Sequence, residues 1–458
     1  GIIYSAMTQS PVVDPFNEDG TYRQLEGSHN ELGGAMTTTN HPLAVRDFID
    51  ERIANNRIYG NLNARYQILD NLQFKSMVGY DLDNYQRSFY QGTQLYYRGG
   101  DPRPFGQSSS AQSFNWLLEN TLTYQAALGE DHRLDAVAGY TVQKQRDERN
   151  SVEAQNFPDD QIQTVNGGQV TNGSQFIEEW SLVSYLARVN YVFKDRYLFT
   201  GTIRSDRSSR FGANNQTGVF PSASLGWRMT REPFLADQDL FSELKPRVSY
   251  GVTGNFLIPN YGSIGLLGPS NYVLSDQIVS GTIPSTLGNS ELTWETTKQL
   301  NMGIDYALLE DRIYGSFDYY ISNTEDLLLE VNIPAVTGFT RALTNIGEVE
   351  NRGFEVQITS RNMVGAFQWS TDFNFSTNTN EVKKLGNEGD PILVPGAAGV
   401  RHITRVGDAI GSYYGYDVVG IFQTQSEIDN APVDLEGNPT PGDFQFRDVN
   451  EDGFIDAD

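Results

Sequence analysis

Six residues near the end of the sequence, Asp448, Asn450, Asp452, Gly453, Phe454 and Asp456, have the spacing of positions 1, 3, 5, 6, 7 and 9 of a calcium-binding loop. Oxygens at alternate positions converge on one point when a glycine permits the sharp turn between them, so the metal ligands would be Asp448, Asn450, Asp452, Phe454 through its carbonyl, and Asp456. The bidentate carboxylate of position 12 would fall past Asp458, and the pattern fits an acidic turn that binds nothing equally well. Arg204, Arg207 and Arg210 are spaced as a clamp for an anionic ligand or as partners for neighbouring carboxylates. Tyr96, Tyr97, Tyr261, Tyr272 and Phe339 are aromatics that either stack on sugar rings or pack loops together. His29, His41, His132 and His402 are scattered, with no spacing suited to zinc. No G-x-S-x-G elbow, phosphate-binding glycine loop or dinucleotide turn occurs, so no catalytic residue is assigned and the chain does not read as an enzyme.

The elements that must position these residues are β-strands. Lys and Arg number 33 against 58 Asp and Glu, a net charge of -25, which argues against a phosphate-rich partner such as nucleic acid. There is no cysteine, so disulfide scaffolds and thiolate sites are excluded. The mean hydropathy is -0.45, and no apolar run is long enough for a membrane helix. A membrane-spanning barrel stays open, because every second residue of its strands faces water and dilutes the apolar signal.

Apolar residues alternate with polar ones through most of the chain. Tyr185, Ala187, Val189, Tyr191 and Phe193 share one side and Arg188 and Asn190 the other. The same split separates Tyr197, Phe199 and Ile203 from Thr200, Thr202 and Arg204, and Met302, Ile304 and Tyr306 from Asn301 and Asp305. It recurs for Phe354, Val356 and Ile358 against Glu355 and Gln357, and for Trp369, Phe373 and Phe375 against Ser370, Asp372 and Asn374. Charge keeps to one parity, as a lipid-facing surface requires. Short turns are expected near 69–71, 127–131, 194–196, 309–311 and 362–366, alternating with long connections near 83–114, 147–179, 254–295 and 323–351. That asymmetry is expected of periplasmic turns and extracellular loops. The reading gives about a dozen strands of about 9 to 11 residues, the length that crosses a bilayer when tilted. The connection 229–245 breaks the short-turn rule, with Pro233 and Phe234 read as a small packed cap. Residues 381–458 read mostly as extracellular loop, with one strand within Tyr413–Phe422.

The stretch SYLARVNYVFKDRYLFTGTIRSDRSSRFGANNQTGVFPSASLGW, Ser184 to Trp227, resembles the most recognisable barrel segment of SusC/RagA-like TonB-dependent transporters. LKPRVSYGVTGN from 244, LTWETTKQLNMGIDY from 292, DYYISNTEDLLL from 318, TNIGEVENRGFEV from 344, GSYYGYDVVGIFQT from 411 and DVNEDGFID from 448 agree in order. The resemblance implies an all-β, antiparallel transmembrane β-barrel, with 1–458 a central part of it and the plug domain and C-terminal strands not represented. It also implies import of glycan oligosaccharides or peptides across the outer membrane of a Gram-negative bacterium. The implied partners are a SusD-like lipoprotein lid, TonB with its inner-membrane motor, and outer-membrane lipid; no cofactor is expected beyond the calcium that the acidic loop could hold. A secreted all-β carbohydrate-binding protein or carbohydrate-active enzyme is the alternative, since a soluble sandwich alternates in the same way over a protein core.

Overall fold

The computed structural model describes residues 3, 7, 14–22, 41–95, 104–274, 277–386, 389–395, 401–434 and 437–455. Its regular structure is overwhelmingly strand. A short helix, α1 (Pro42–Phe48), is capped by His41, whose Nδ1 accepts from Leu43 N at 3.2 Å, and runs directly into β1 (Ile49–Leu69). There follow β2 (Leu72–Gln91), β3 (Phe105–Leu128), β4 (His132–Gln155), β5 (Gln169–Phe193), β6 (Tyr197–Ser208), β7 (Thr217–Trp227) and β8 (Phe241–Asn255). Next come β9 (Leu267–Leu274), β10 (Gln277–Pro284), β11 (Glu295–Leu308), β12 (Ile313–Asn332), β13 (Arg341–Val364) and β14 (Gln368–Lys384). Twelve of these, β1 to β8 and β11 to β14, belong to one sheet in chain order, while β9 and β10 pair as a separate hairpin.

The chain divides into two units, one of Gly1–Ala236 with Thr253–Trp294 and one of Asp237–Val252 with Glu295–Asp458. In the first, β1 to β7 pair antiparallel with their sequence neighbours, and β3 and β4 hold register over 24 residue pairs without a bulge. In the second, β11 to β14 pair likewise. The short turns hold this register. Lys194 and Asp195 between β5 and β6 both have φ of 53°, the mirror-image hairpin turn whose twist matches that of the strands. That conformation costs a residue with a side chain about 1–2 kcal/mol. Asp195 offsets part of the cost through ion pairs with Arg133 and with Arg228, the latter at 2.8 Å.

Strand length departs from expectation. β3 and β4 have 24 residues and β5 has 25, more than twice the expected span, because ladder pairing continues far beyond the alternating apolar band. The connections expected at 83–114, 147–179 and 323–351 accordingly shrink to 92–104, 156–168 and 333–340, while that between β8 and β11 runs over 256–294 and carries the β9–β10 hairpin. At the tips of β2 to β5, Tyr90, Ala154 and Phe157 make a small core, and Asp160 accepts from Tyr90 Oη, Thr93 N and Thr93 Oγ1, each at 2.8 Å.

The 229–245 connection is also built differently. Pro233 is exposed, and Phe234, 64% exposed, meets only the edge of the Trp227 ring at 6.3 Å, so the expected cap is partly packed. The buried residue is Glu232: Tyr197 Oη and Trp227 Nε1 donate to its Oε1 at 2.7 and 3.1 Å, and Arg196 Nη1 to its Oε2 at 3.0 Å. Three donors on one carboxylate fix the turn more tightly than an apolar contact would. Tyr413–Phe422 splits into two strands, Ser412–Tyr414 and Val418–Ile421, divided by 415–417, and the described residues past 384 hold seven short strands in small sheets together with a helix, Gln425–Asp429.

Candidate functional site: an uncovered apolar face and a polar face

The two faces of the long strands carry opposite chemistry. On β5, Tyr185 is 60% exposed; Ile203 on β6 and Phe373 on β14 are each 52% exposed. Their cross-strand neighbours share their character: the Tyr140 ring lies tilted against Tyr185 at 5.1 Å, and Phe354 lies 6.2 Å from Phe317 and 5.7 Å from Phe375. A soluble sandwich would bury these side chains, gaining about 1.5–3 kcal/mol for each large one. Leaving so many uncovered is tolerable only where the solvent is hydrocarbon, and this overturns the sandwich alternative.

The apolar band has a sharp upper limit. On β4, Leu134, Ala136, Ala138, Tyr140 and Val142 take the apolar face, and the same parity continues as Lys144, Arg146 and Glu148. Glu179 of β5 sits opposite Arg146 and pairs with Lys144 Nζ at 2.9 Å. On β12 the run Phe317, Tyr319 and Ile321 gives way to Glu325, which Lys298 of β11 meets at 2.5 Å. A band of about 9 to 11 residues in a tilted strand spans the apolar layer of about 25 Å found in outer-membrane barrels. The expected strand length was therefore the length of the membrane crossing, and the strands themselves run on past it.

The opposite face is polar and internally bonded. In the first unit Asn115 donates to Gln145, which donates to both oxygens of Asp147 at 3.1 and 2.9 Å. In the second, Arg247 of β8 reaches Asp305 at 3.1 Å and Asp318 at 2.7 Å, while Lys245 holds the other Asp305 oxygen at 2.6 Å.

The arginine trio is dispersed. Arg204 pairs with Asp206 at 2.8 Å and donates to Ser184; Arg207, on the other parity, donates to Gln216. Arg210 makes no ion pair among the described residues and instead lies 5.0 Å from the Trp180 ring and 5.4 Å from that of Phe256. Tyr261 Oη accepts from Glu179 N at 3.0 Å, which pins its loop to β5. The Tyr272 ring packs over Gly281 within the β9–β10 hairpin, and Phe339 is half-buried. Tyr96, Tyr97, His29 and Asp456 lie outside the described residues.

In the acidic loop, Asp448 accepts from Glu451 N at 2.7 Å and Gly453 N at 2.8 Å, and Asp452 accepts from Phe454 N at 2.9 Å. Gly453 has φ of 89°, so the turn the motif demands is formed. Among the described residues no three acidic or histidine side chains converge on a common metal position. Sequence reasoning missed Glu232, Asp195 and Asp160, none of which belongs to a motif and each of which acts only through tertiary contacts.

A large antiparallel sheet, uncovered on an apolar face and hydrogen-bonded on a polar one, defines an outer-membrane β-barrel. Residues 9–442 match the family described as TonB dependent receptor-like, beta-barrel, and the chain belongs to that family. It is similar to TonB-dependent receptor P3 of Formosa agariphila, 36% identical over 467 residues that cover 99% of this chain and 45% of that protein. It is also similar to TonB-dependent receptor SusC of Bacteroides thetaiotaomicron, 31% identical over 422 residues, 87% of this chain and 41% of that protein. The RagAB peptide transporter shares the fold, with a TM-score of 0.77 at 23% identity over 89% of this chain and 45% of that one. The chain spans about half the length of the curated relatives it matches. The SusC/RagA-like resemblance read from Ser184–Trp227 is thus borne out. The chain is an outer-membrane protein of a Gram-negative bacterium, in a family of receptors and not of enzymes.

Proposed function

We propose that this chain supplies barrel wall to a TonB-dependent transporter that imports oligosaccharides or peptides beneath a SusD-like lipoprotein lid. The observation that carries the reading is the parity of the strands: a water-excluding face for lipid, and a polar face along which a hydrophilic cargo passes. Family membership and similarity to SusC support the TonB requirement and the lipoprotein partner. Uptake of labelled oligosaccharide and peptide pools by cells carrying the full-length receptor tests it. Uptake that depends on the receptor and on TonB is expected, together with co-purification of a lipoprotein. Uptake unchanged when the receptor is deleted would refute it.

For the acidic loop we propose calcium, held by the side-chain oxygens of Asp448, Asn450, Asp452 and Asp456 and by the Phe454 carbonyl. The left-handed Gly453 supports this, since it gives the loop its ligating turn. Calcium titration of the full-length receptor, with Asp452→Ala as control, is expected to show one site lost in the variant; no calcium-dependent heat in either protein would refute it.

A further inference from the structure

In the second unit a cavity of about 730 Å3 opens where β12 and β13 run past the apolar band. A bulge creates it. Phe317, Tyr319 and Ile321 of β12 take the membrane face, but Asp326 is left-handed with φ of 56°, and its carbonyl is held by Asn345 Nδ2 at 2.8 Å. The register with β13 shifts on either side of Leu327. The extra residue switches parity, so Leu327 and Leu329 leave the membrane face and pack instead against Val349, Val382 and Leu385. Gly347 makes room for them: a Cβ there would stand 2.8 Å from Leu327 Cβ. Ile392, Leu393 and Val394 form the roof.

The chemistry of the walls selects a ligand. Leu329, Val331, Ile346, Ile392 and Val394 are aliphatic, and among the described residues the lining holds no aromatic ring on which a pyranose could stack. Both signs of charge stand among the aliphatic walls: Arg341, paired with Glu330 at 3.3 Å and well exposed, and Asp390. The volume lies within the range of specific small-ligand sites, which are mainly apolar with a few polar groups that orient the ligand. A glycan offers no aliphatic group of this kind and an acyl chain no matching charges, whereas a short peptide offers both.

We propose that this cavity binds an aliphatic side chain of a peptide ligand, with Glu330, Arg341 and Asp390 meeting the peptide's charged termini. This assigns a substrate class to the import reading and rests on it for the ligand's arrival. Binding to the purified full-length receptor in detergent tests it independently of transport, using the unblocked tetrapeptides Gly-Gly-Leu-Gly and tetraglycine as probes. The leucine peptide is expected to bind at least about tenfold more tightly, the effect of burying one such side chain. Leu329→Trp, which fills the cavity from the wall, and Val394→Trp, which fills it from the exposed roof, are each expected to abolish that difference. Equal affinities in the wild type, no binding of either peptide, or a difference that survives both substitutions in folded protein would overturn the proposal. Loss of the import reading would show separately, as a binding difference that persists in a receptor without TonB-dependent uptake.

Discussion

The Arg247 guanidinium meets Asp318 Oδ2 at 2.7 Å across the backbone of Gly303, so that β8 and β12 are tied over the strand between them. Only the missing side chain at position 303 leaves the path open. A Cβ there would stand 2.6 Å from Asp318 Oδ1 and 2.8 Å from Arg247 Cζ. Gly303→Ala should therefore break the bridge and cost about 1–3 kcal/mol, the usual penalty of overfilling a packed site. Urea unfolding of the receptor in vesicles measures it, and an unchanged midpoint would contradict the geometry.

Val189 lies near the middle of the apolar run on β5, and Arg188 beside it points to the polar face. Val189→Arg is expected to cost about 2–4 kcal/mol. Arg188→Gln should change stability by less than about 0.5 kcal/mol, as surface substitutions usually do. Heat-modifiable migration after refolding into vesicles separates the two; equal tolerance at both positions would remove the membrane from the account.

Glu232 gives a pH dependence with a definite sign. The hydrogen bonds from Tyr197 and Trp227, with the charge of Arg196, hold its carboxyl below the ordinary 4.5. A carboxyl depressed in the folded state contributes stability above its unfolded pKa and loses it as pH falls through the folded value. Wild type and Glu232→Gln should therefore differ at neutral pH and converge below pH 4.5 in thermal unfolding. A gap that widens with acidification would reverse the assignment.

Arg210 lies against two rings and donates to the Phe256 carbonyl at 3.4 Å, with Asp147 and Glu178 acting on it only from beyond ion-pair distance. Arg210→Ala should cost about 0.5–2 kcal/mol, the worth of a partly desolvated cation–π contact, and should be nearly insensitive to salt. Unfolding midpoints in low and high salt test this. A strong salt dependence would indicate an ion pair in solution.

Legibility followed the apolar signal and stopped where it stopped. Tyr185 to Phe193 and Phe354 to Ile358 disclosed their faces because hydrocarbon on one side enforces alternation. The extensions did not. Gln107 to Gln112 reads QSSSAQ, with no periodicity to mark it as strand, yet it pairs residue for residue with β2 and β4. Tertiary pairing overrides local propensity there. The arginine trio was visible as charge, but its fate was not: the partner of Arg204 sits two residues along, whereas the rings facing Arg210 come from a strand and a loop distant in sequence. The cavity depends on two unpaired residues, Asp326 on β12 and Ile346 on β13, and a parity slip of that kind becomes visible only once the register between the two strands is known.

The ladders of β2 to β5 continue about a dozen residues beyond Val142 and Val183 and end in the plug of Tyr90, Ala154 and Phe157. At about 3.3 Å per residue this raises a stiff palisade some tens of ångströms above the lipid. Anything that lands on the tips meets posts already immobilised by folding, so it forfeits little disorder on contact, and a visitor shaped to their spacing can hold on with few direct bonds.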